Sequence, residues 1–202
     1  MGDTAFFDTE DFLNLLLGSA VIGTAFTAFR QTFSFKALSF YVVVGLVVLL
    51  LREAGQRAVA HWMDAYVDLK VSSEGVLVTL LAAGISVVGE MNLLLLFPVF
   101  NGFSVESHEH WGKSIDAMWM KRQYWIVSGG IVMLFLGWFA AFAADFNGVA
   151  EAISLFTFFQ MLPFDYKDLP TGTLDGAFIL RWSGVSWLLF TGFSIITIVL
   201  SS

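Results

Sequence analysis

Cysteine is absent from this chain of 202 residues. Its absence excludes disulfides, thiolate zinc sites and iron–sulfur ligation, and leaves the compartment open. Charge is scarce: 13% of residues are Asp, Glu, Lys or Arg, where soluble domains carry about 25%. Basic residues are the scarcer sign, 10 Lys and Arg against 17 Asp and Glu, for a net charge of −7. A nucleic-acid partner would need a basic patch, and none is present. No P-loop, GxGxxG, haem or nucleophile-elbow pattern occurs, and no internal repeat or low-complexity tract. No Pro/Ser-rich or charged linker divides the chain, which predicts one domain over residues 1–202. The N-terminus is acidic (Asp3, Asp8, Glu10, Asp11) and lacks the basic n-region of a cleaved signal peptide.

What the chain has in abundance is apolar surface. It is 57% hydrophobic with 22 Phe, and its mean hydropathy is +0.78. The expected class is an all-α integral membrane protein with about five transmembrane helices plus a re-entrant membrane hairpin. Residues 12–29 are uncharged and long enough for one crossing. Residues 37–51 begin a second span that should continue as helix through Arg52–His61. Tyr124–Ala144 and Val149–Leu162 follow, the latter ending at Pro163, and a last span occupies residues 182–200. The Trp and Phe residues read as lipid-facing and interfacial packing.

Gly75–Phe100 is open to two readings. It is either one span with Glu90 inside, or a hairpin of two apolar halves, Val76–Ala83 and Leu93–Phe97, turning at Glu90. Charge bias separates them. With a cytoplasmic N-terminus and a hairpin, Arg52, Arg57, Lys70, Lys113, Lys121, Arg122 and Arg181 fall inside, against Arg30 and Lys36 outside. A crossing would nearly abolish that bias, so the positive-inside rule favours the hairpin. The expected location is the plasma membrane, multi-pass.

Ionisable residues in a membrane helix are costly and mark function. Arg52, Glu53 and Gln56 lie at i, i+1 and i+4 where the second span becomes polar. A zinc-protease helix places two His at i and i+4 with a Glu beside the first. The spacing and the Glu are here, but Arg cannot donate a lone pair and Gln is a poor zinc ligand. Asp175 opens a further apolar segment in Leu174-Asp175-Gly176, where it is an N-cap or a functional carboxylate. Ser128-Gly129-Gly130 would let another helix approach closely. Pro163 and Gly176 mark breaks between helices. Two weaker metal candidates are the face of His61, Asp64 and Asp68, and the loop pair His108 and His110. Both read more readily as solvated surface.

In combination these motifs resemble the site-2 protease family of intramembrane zinc metalloproteases, most of all its archaeal branch. The matching elements are REAGQ at Arg52–Gln56, the hairpin at Gly75–Phe100, SGG at Ser128–Gly130, and QMLP…LDG at Gln160–Gly176. They stand in the family's order over residues 37–181. Arg52 and Gln56 occupy the positions of the two zinc-binding His. Glu53 matches the general base, Asp175 the third ligand, and Gln160 replaces an Asn. The resemblance implies the family's fold, with residues 12–29 and 182–200 as flanking helices. It argues against the family's activity, since one of three ligands cannot hold zinc in the same way.

The expectation is therefore a catalytically inactive homologue with vestigial Glu53 and Asp175, no metal and no cofactor. Without a metal the two carboxylates need another cation, and an Arg52–Asp175 ion pair is expected. The alternative local arrangement has Arg52 reaching for the headgroups while Glu53 pairs with Arg57 at i+4. The expected partners are the lipid bilayer and other transmembrane proteins, for which the chain would be a scaffold or accessory subunit. Two other functions stay open: an active metalloprotease with a non-standard metal site, for which zinc would be the cofactor, and a solute or ion pathway using the intramembrane carboxylates.

Overall fold

The computed structural model describes residues 9–105, 114–165 and 173–201. The chain is mostly helical. Its elements are α1 (Thr9–Phe29), α2 (Phe35–Trp62), β1 (Ala65–Val71), α3 (Ser73–Val88), β2 (Val99–Val105), α4 (Ser114–Ala143), α5 (Asn147–Gln160), α6 (Asp175–Trp182) and α7 (Gly184–Ser201). Four helical stretches among the described residues are long and apolar enough to cross a bilayer: α1, α2, Trp119–Ala143 within α4, and α7. The segment expected as a further span, Val149–Leu162, lies mainly in α5. That helix has 14 residues, a length of about 21 Å, against a hydrocarbon core of about 30 Å.

The described residues form two compact units. The first holds α1, α2 as far as Leu50, and residues 69–100. The second holds residues 51–68, 101–105, 114–165 and 173–201. Helix α2 passes from one to the other without a break, because nothing between Ala37 and His61 interrupts a helix apart from single glycines. Ser34 caps it: its Oγ accepts the Ala37 N–H at 3.1 Å. The helix stops at Trp62, and Asp64 takes the left-handed conformation with φ 51°, the usual reversal past a helix end.

In the first unit, α1 packs on α3 and lies close against α2. A Cβ at Gly23 would stand 2.6 Å from the Val42 backbone nitrogen. The segment Gly75–Phe100 doubles back on itself. Ser72 caps α3, its Oγ accepting the Gly75 N–H at 2.9 Å. The helix ends at Val88, the chain turns through exposed Glu90 with φ 50°, and it then returns as extended backbone. Phe97 N–H donates to Thr79 Oγ1 at 3.0 Å and Ser72 N–H to the Pro98 carbonyl at 3.0 Å. The return is so close that a Cβ at Gly75 would stand 1.8 Å from the Phe97 carbonyl oxygen. The second apolar half is thus an extended strand of chain laid beside the helix it follows.

Strands β1 and β2 pair as a two-stranded sheet that the sequence reading left unassigned. Its signal is present: Ala65, Val67 and Leu69 are buried while Asp68 and Lys70 are exposed, the period-two pattern of a half-buried strand. That strand also corrects the expected face of His61, Asp64 and Asp68. His61 ends α2, Asp64 sits in the turn and Asp68 lies on β1, so the three do not share a helix. In the second unit, α4 packs against α5, α6 and α7, and α5 against α7, around Ile126, Ile131, Leu134, Ile153, Phe156 and Ile179. Two of its indoles donate to partners inside the unit: Trp187 Nε1 to the Met161 carbonyl at 2.8 Å and Trp138 Nε1 to Ser201 Oγ at 2.8 Å.

Candidate functional site

Six polar side chains meet inside the second unit, and four come from one helix. Arg52 and Gln56 project from one face of α2 at i and i+4. Glu53 and Arg57 repeat the spacing one residue on. Asp175 enters from the first turn of α6, where a carboxylate favours the positive end of the helix, and Asn101 enters from β2. Arg52, Glu53 and Gln56 are fully buried, and Asn101, Arg57 and Asp175 nearly so.

The Arg52 guanidinium sits at the centre. Its Nε donates to Asp175 Oδ2 at 2.8 Å and its Nη2 to Asp175 Oδ1 at 2.6 Å, the bidentate fork by which Arg and carboxylate bind most specifically. Its Nη1 donates to Glu53 Oε1 and to Asn101 Oδ1, both at 3.0 Å. Asn101 Nδ2 donates in turn to Glu53 Oε1 at 2.8 Å and to Gln56 Oε1. Gln56 Nε2 closes the ring on Asp175 Oδ2 at 3.2 Å. Glu53 Oε2 faces Arg57 Nε at 3.6 Å. Both anticipated pairings of α2 therefore occur together, Arg52 with Asp175 and Glu53 with Arg57. Among the described residues two cations face two carboxylates, the pairing of opposite charges that makes buried ions tolerable.

The cluster depends on a close crossing of α2 and α4. A Cβ at Gly55 would lie 2.4 Å from the Gly129 carbonyl oxygen, and one at Gly130 would lie 2.6 Å from Gln56 Cγ. The stretch Ser128-Gly129-Gly130 is where α4 lies backbone-to-backbone on the cluster-bearing turn of α2. Gly176 has the same role beneath Asp175, where a Cβ would stand 2.1 Å from the Met161 carbonyl oxygen. Helix α5 ends at Gln160, Pro163 follows, and the Leu174 N–H bonds the Phe164 carbonyl, which sets where α6 begins. Gln160 is fully buried beside this junction.

Asn101 is the member that sequence reasoning missed. It shares the buried face of β2 with Val99, two residues before it, the period-two cue that could have found it. Among the described residues no three His, Cys, Asp or Glu side chains group as a metal site. His108 and His110 lie outside the described residues. No family model, curated protein or solved structure matches the chain.

Proposed function

We propose that this chain is a catalytically inactive membrane protein with a site-2-protease-like core, in which a guanidinium does by charge what a metal does by coordination in the active family. It would serve as a binding or accessory subunit for other transmembrane proteins of the plasma membrane. In this reading it has five spans, residues 75–100 re-enter the bilayer as a hairpin, and the N-terminus is cytoplasmic.

The observation that carries the reading is the bidentate Arg52–Asp175 pair. The donor chemistry supports it. Zinc takes imidazole, thiolate or carboxylate ligands, most often four. Here Asp175 spends both oxygens on Arg52 and Gln56, while Glu53 Oε1 accepts from Arg52 and Asn101 and its Oε2 faces Arg57 at 3.6 Å. The remaining side chains are amides and guanidinia. A divalent ion at Asp175 would have to displace a fixed cation at hydrogen-bond distance, so these residues do not fit the family's metal. Without one, no water is activated near neutral pH.

The Arg52–Asp175 pair bridges α2 and α6, and in this reading the partner binds the exposed apolar face of α7. That helix exposes Leu188, Leu189, Ile195, Ile196 and Val199, and Gly192 has open space around it. The test has two readouts on protein purified in mild detergent. Metal content should stay substoichiometric, and a transmembrane protein should co-purify in fixed ratio and be lost on Gly192→Trp. Stoichiometric zinc that disappears in Asp175→Ala would overturn the inactive reading. Recovery of the chain alone as a monomer would overturn the accessory role.

A further inference from the structure

The first unit contains an open apolar groove of about 660 Å³ between the C-terminal half of α1, the turn into α2 and the second half of α3. Its lining includes Thr24, Phe33, Phe35, Leu80, Gly84 and Val87. The hydroxyls along it are turned away. Thr24 and Thr27 donate to their own helix at Ala20 and Gly23, and Ser34 Oγ accepts the Ala37 N–H. The wall is therefore aliphatic and aromatic. From Leu80 to Val87 it runs seven residues, about 10 Å, two-thirds of the roughly 15 Å that half a hydrocarbon core provides. Gly84 forms part of the floor, and no atom lies within 4 Å of where its Cβ would be.

Two basic residues flank the groove's turn in an acidic chain. Arg30 and Lys36 bracket the turn whose residues Phe33, Ser34 and Phe35 line the groove, and both are exposed. The Arg30 guanidinium lies 5.9 Å over the Phe29 ring. Phe33 and Phe35 are also exposed, at the level where aromatic residues meet headgroups. Glu10 and Asp11 lie at the other end of α1, 21 residues long, about 30 Å away. Glu90 is an acidic group close to this turn: Gln31 Nε2 donates to the Ser86 and Met91 carbonyls on either side of it.

We propose that this groove is a binding site for an anionic glycerolipid, with one acyl chain along Leu80–Val87 and its phosphate between Arg30 and Lys36. Within a bilayer an acyl chain gains little by leaving other chains, so packing alone gives no selectivity. Selectivity comes from the headgroup, at about fivefold in retention per basic residue.

Native mass spectrometry of the full chain with phosphatidylglycerol and phosphatidylcholine of identical acyl chains tests this. Wild type should retain phosphatidylglycerol in preference. Arg30→Gln and Lys36→Gln should each lower that retention about fivefold and leave phosphatidylcholine unchanged, and Glu90→Gln should raise it. Gly84→Phe, which enters open space, should reduce retention of both lipids. Equal retention of the two lipids by wild type would overturn the headgroup assignment. Unchanged retention in Gly84→Phe would overturn the groove, and a dimer that this substitution converts to monomer would assign the groove to a second copy instead.

Discussion

Removing one member of a buried ion pair should cost more than removing both. Arg52→Met leaves the Asp175 carboxylate without its guanidinium in a site closed to solvent. Asp175→Leu leaves the Arg52 guanidinium without its bidentate carboxylate. Breaking a buried ion pair from one side costs about 3–5 kcal/mol, so each single variant should lose about 4 kcal/mol. The double variant removes both opposed charges together and keeps Glu53 and Arg57, which face each other at 3.6 Å. It orphans two amide atoms, Gln56 Nε2 and Asn101 Oδ1, whose partners were Asp175 and Arg52. At about 1–3 kcal/mol each, these place the double variant near 4 kcal/mol rather than the additive sum of about 8 kcal/mol. The coupling is then about 4 kcal/mol, several times the roughly 0.5 kcal/mol scatter of independent sites. Reversible unfolding in mixed micelles, followed by tryptophan fluorescence, measures all four corners of the cycle. Additivity within that scatter would refute a guanidinium held by Asp175.

Two further predictions concern the scaffold. Gly129→Leu should lower stability by about 1–3 kcal/mol or more in the same assay, because a Cβ there meets Val59 at 2.5 Å and the Gly55 carbonyl oxygen at 2.8 Å. Gly192→Ala is the control at a helical glycine with open surroundings, expected to be neutral or stabilising by up to about 1 kcal/mol. Asp11→Ala should raise the hydrogen-exchange rate of the Leu69 amide, whose N–H donates to Asp11 Oδ1 at 3.2 Å while Asn14 Nδ2 donates to the Leu69 carbonyl at 2.8 Å. Unchanged protection at Leu69 would show that α1 does not hold the edge of β1.

Local pattern made much of the chain readable. Uncharged runs of bilayer length mark α1, α4 and α7, since the need to satisfy backbone groups in lipid leaves the helix as the natural structure for each. Val149–Leu162 is less decisive, because apolarity shows burial without showing whether lipid or protein provides it, and the helix there is 14 residues long. The turn at Glu90 was legible from its Gly-Glu-Met-Asn setting and from charge bias. The strand at Ala65–Val71 was legible too, but its alternation was overlooked beside the apparent helix face of His61, Asp64 and Asp68.

The sequence by itself determined that this is a membrane protein, and that Arg52, Glu53, Gln56 and Arg57 share two adjacent faces of one helix, because helical spacing alone fixes which of those side chains are neighbours. It also marked Gly129 and Gly130 as a place of close approach. Only the tertiary structure decided what those side chains hold. Arg52 and Asp175 are 123 positions apart, and no local periodicity encodes a contact between the middle of one helix and the first turn of another. Asn101 was out of reach for the same reason, since it arrives on a strand whose place depends on its pairing. The pairing of these charges is a property of the fold: Arg52 and Asp175 are tolerable inside it only beside one another, and that is settled when the helices close.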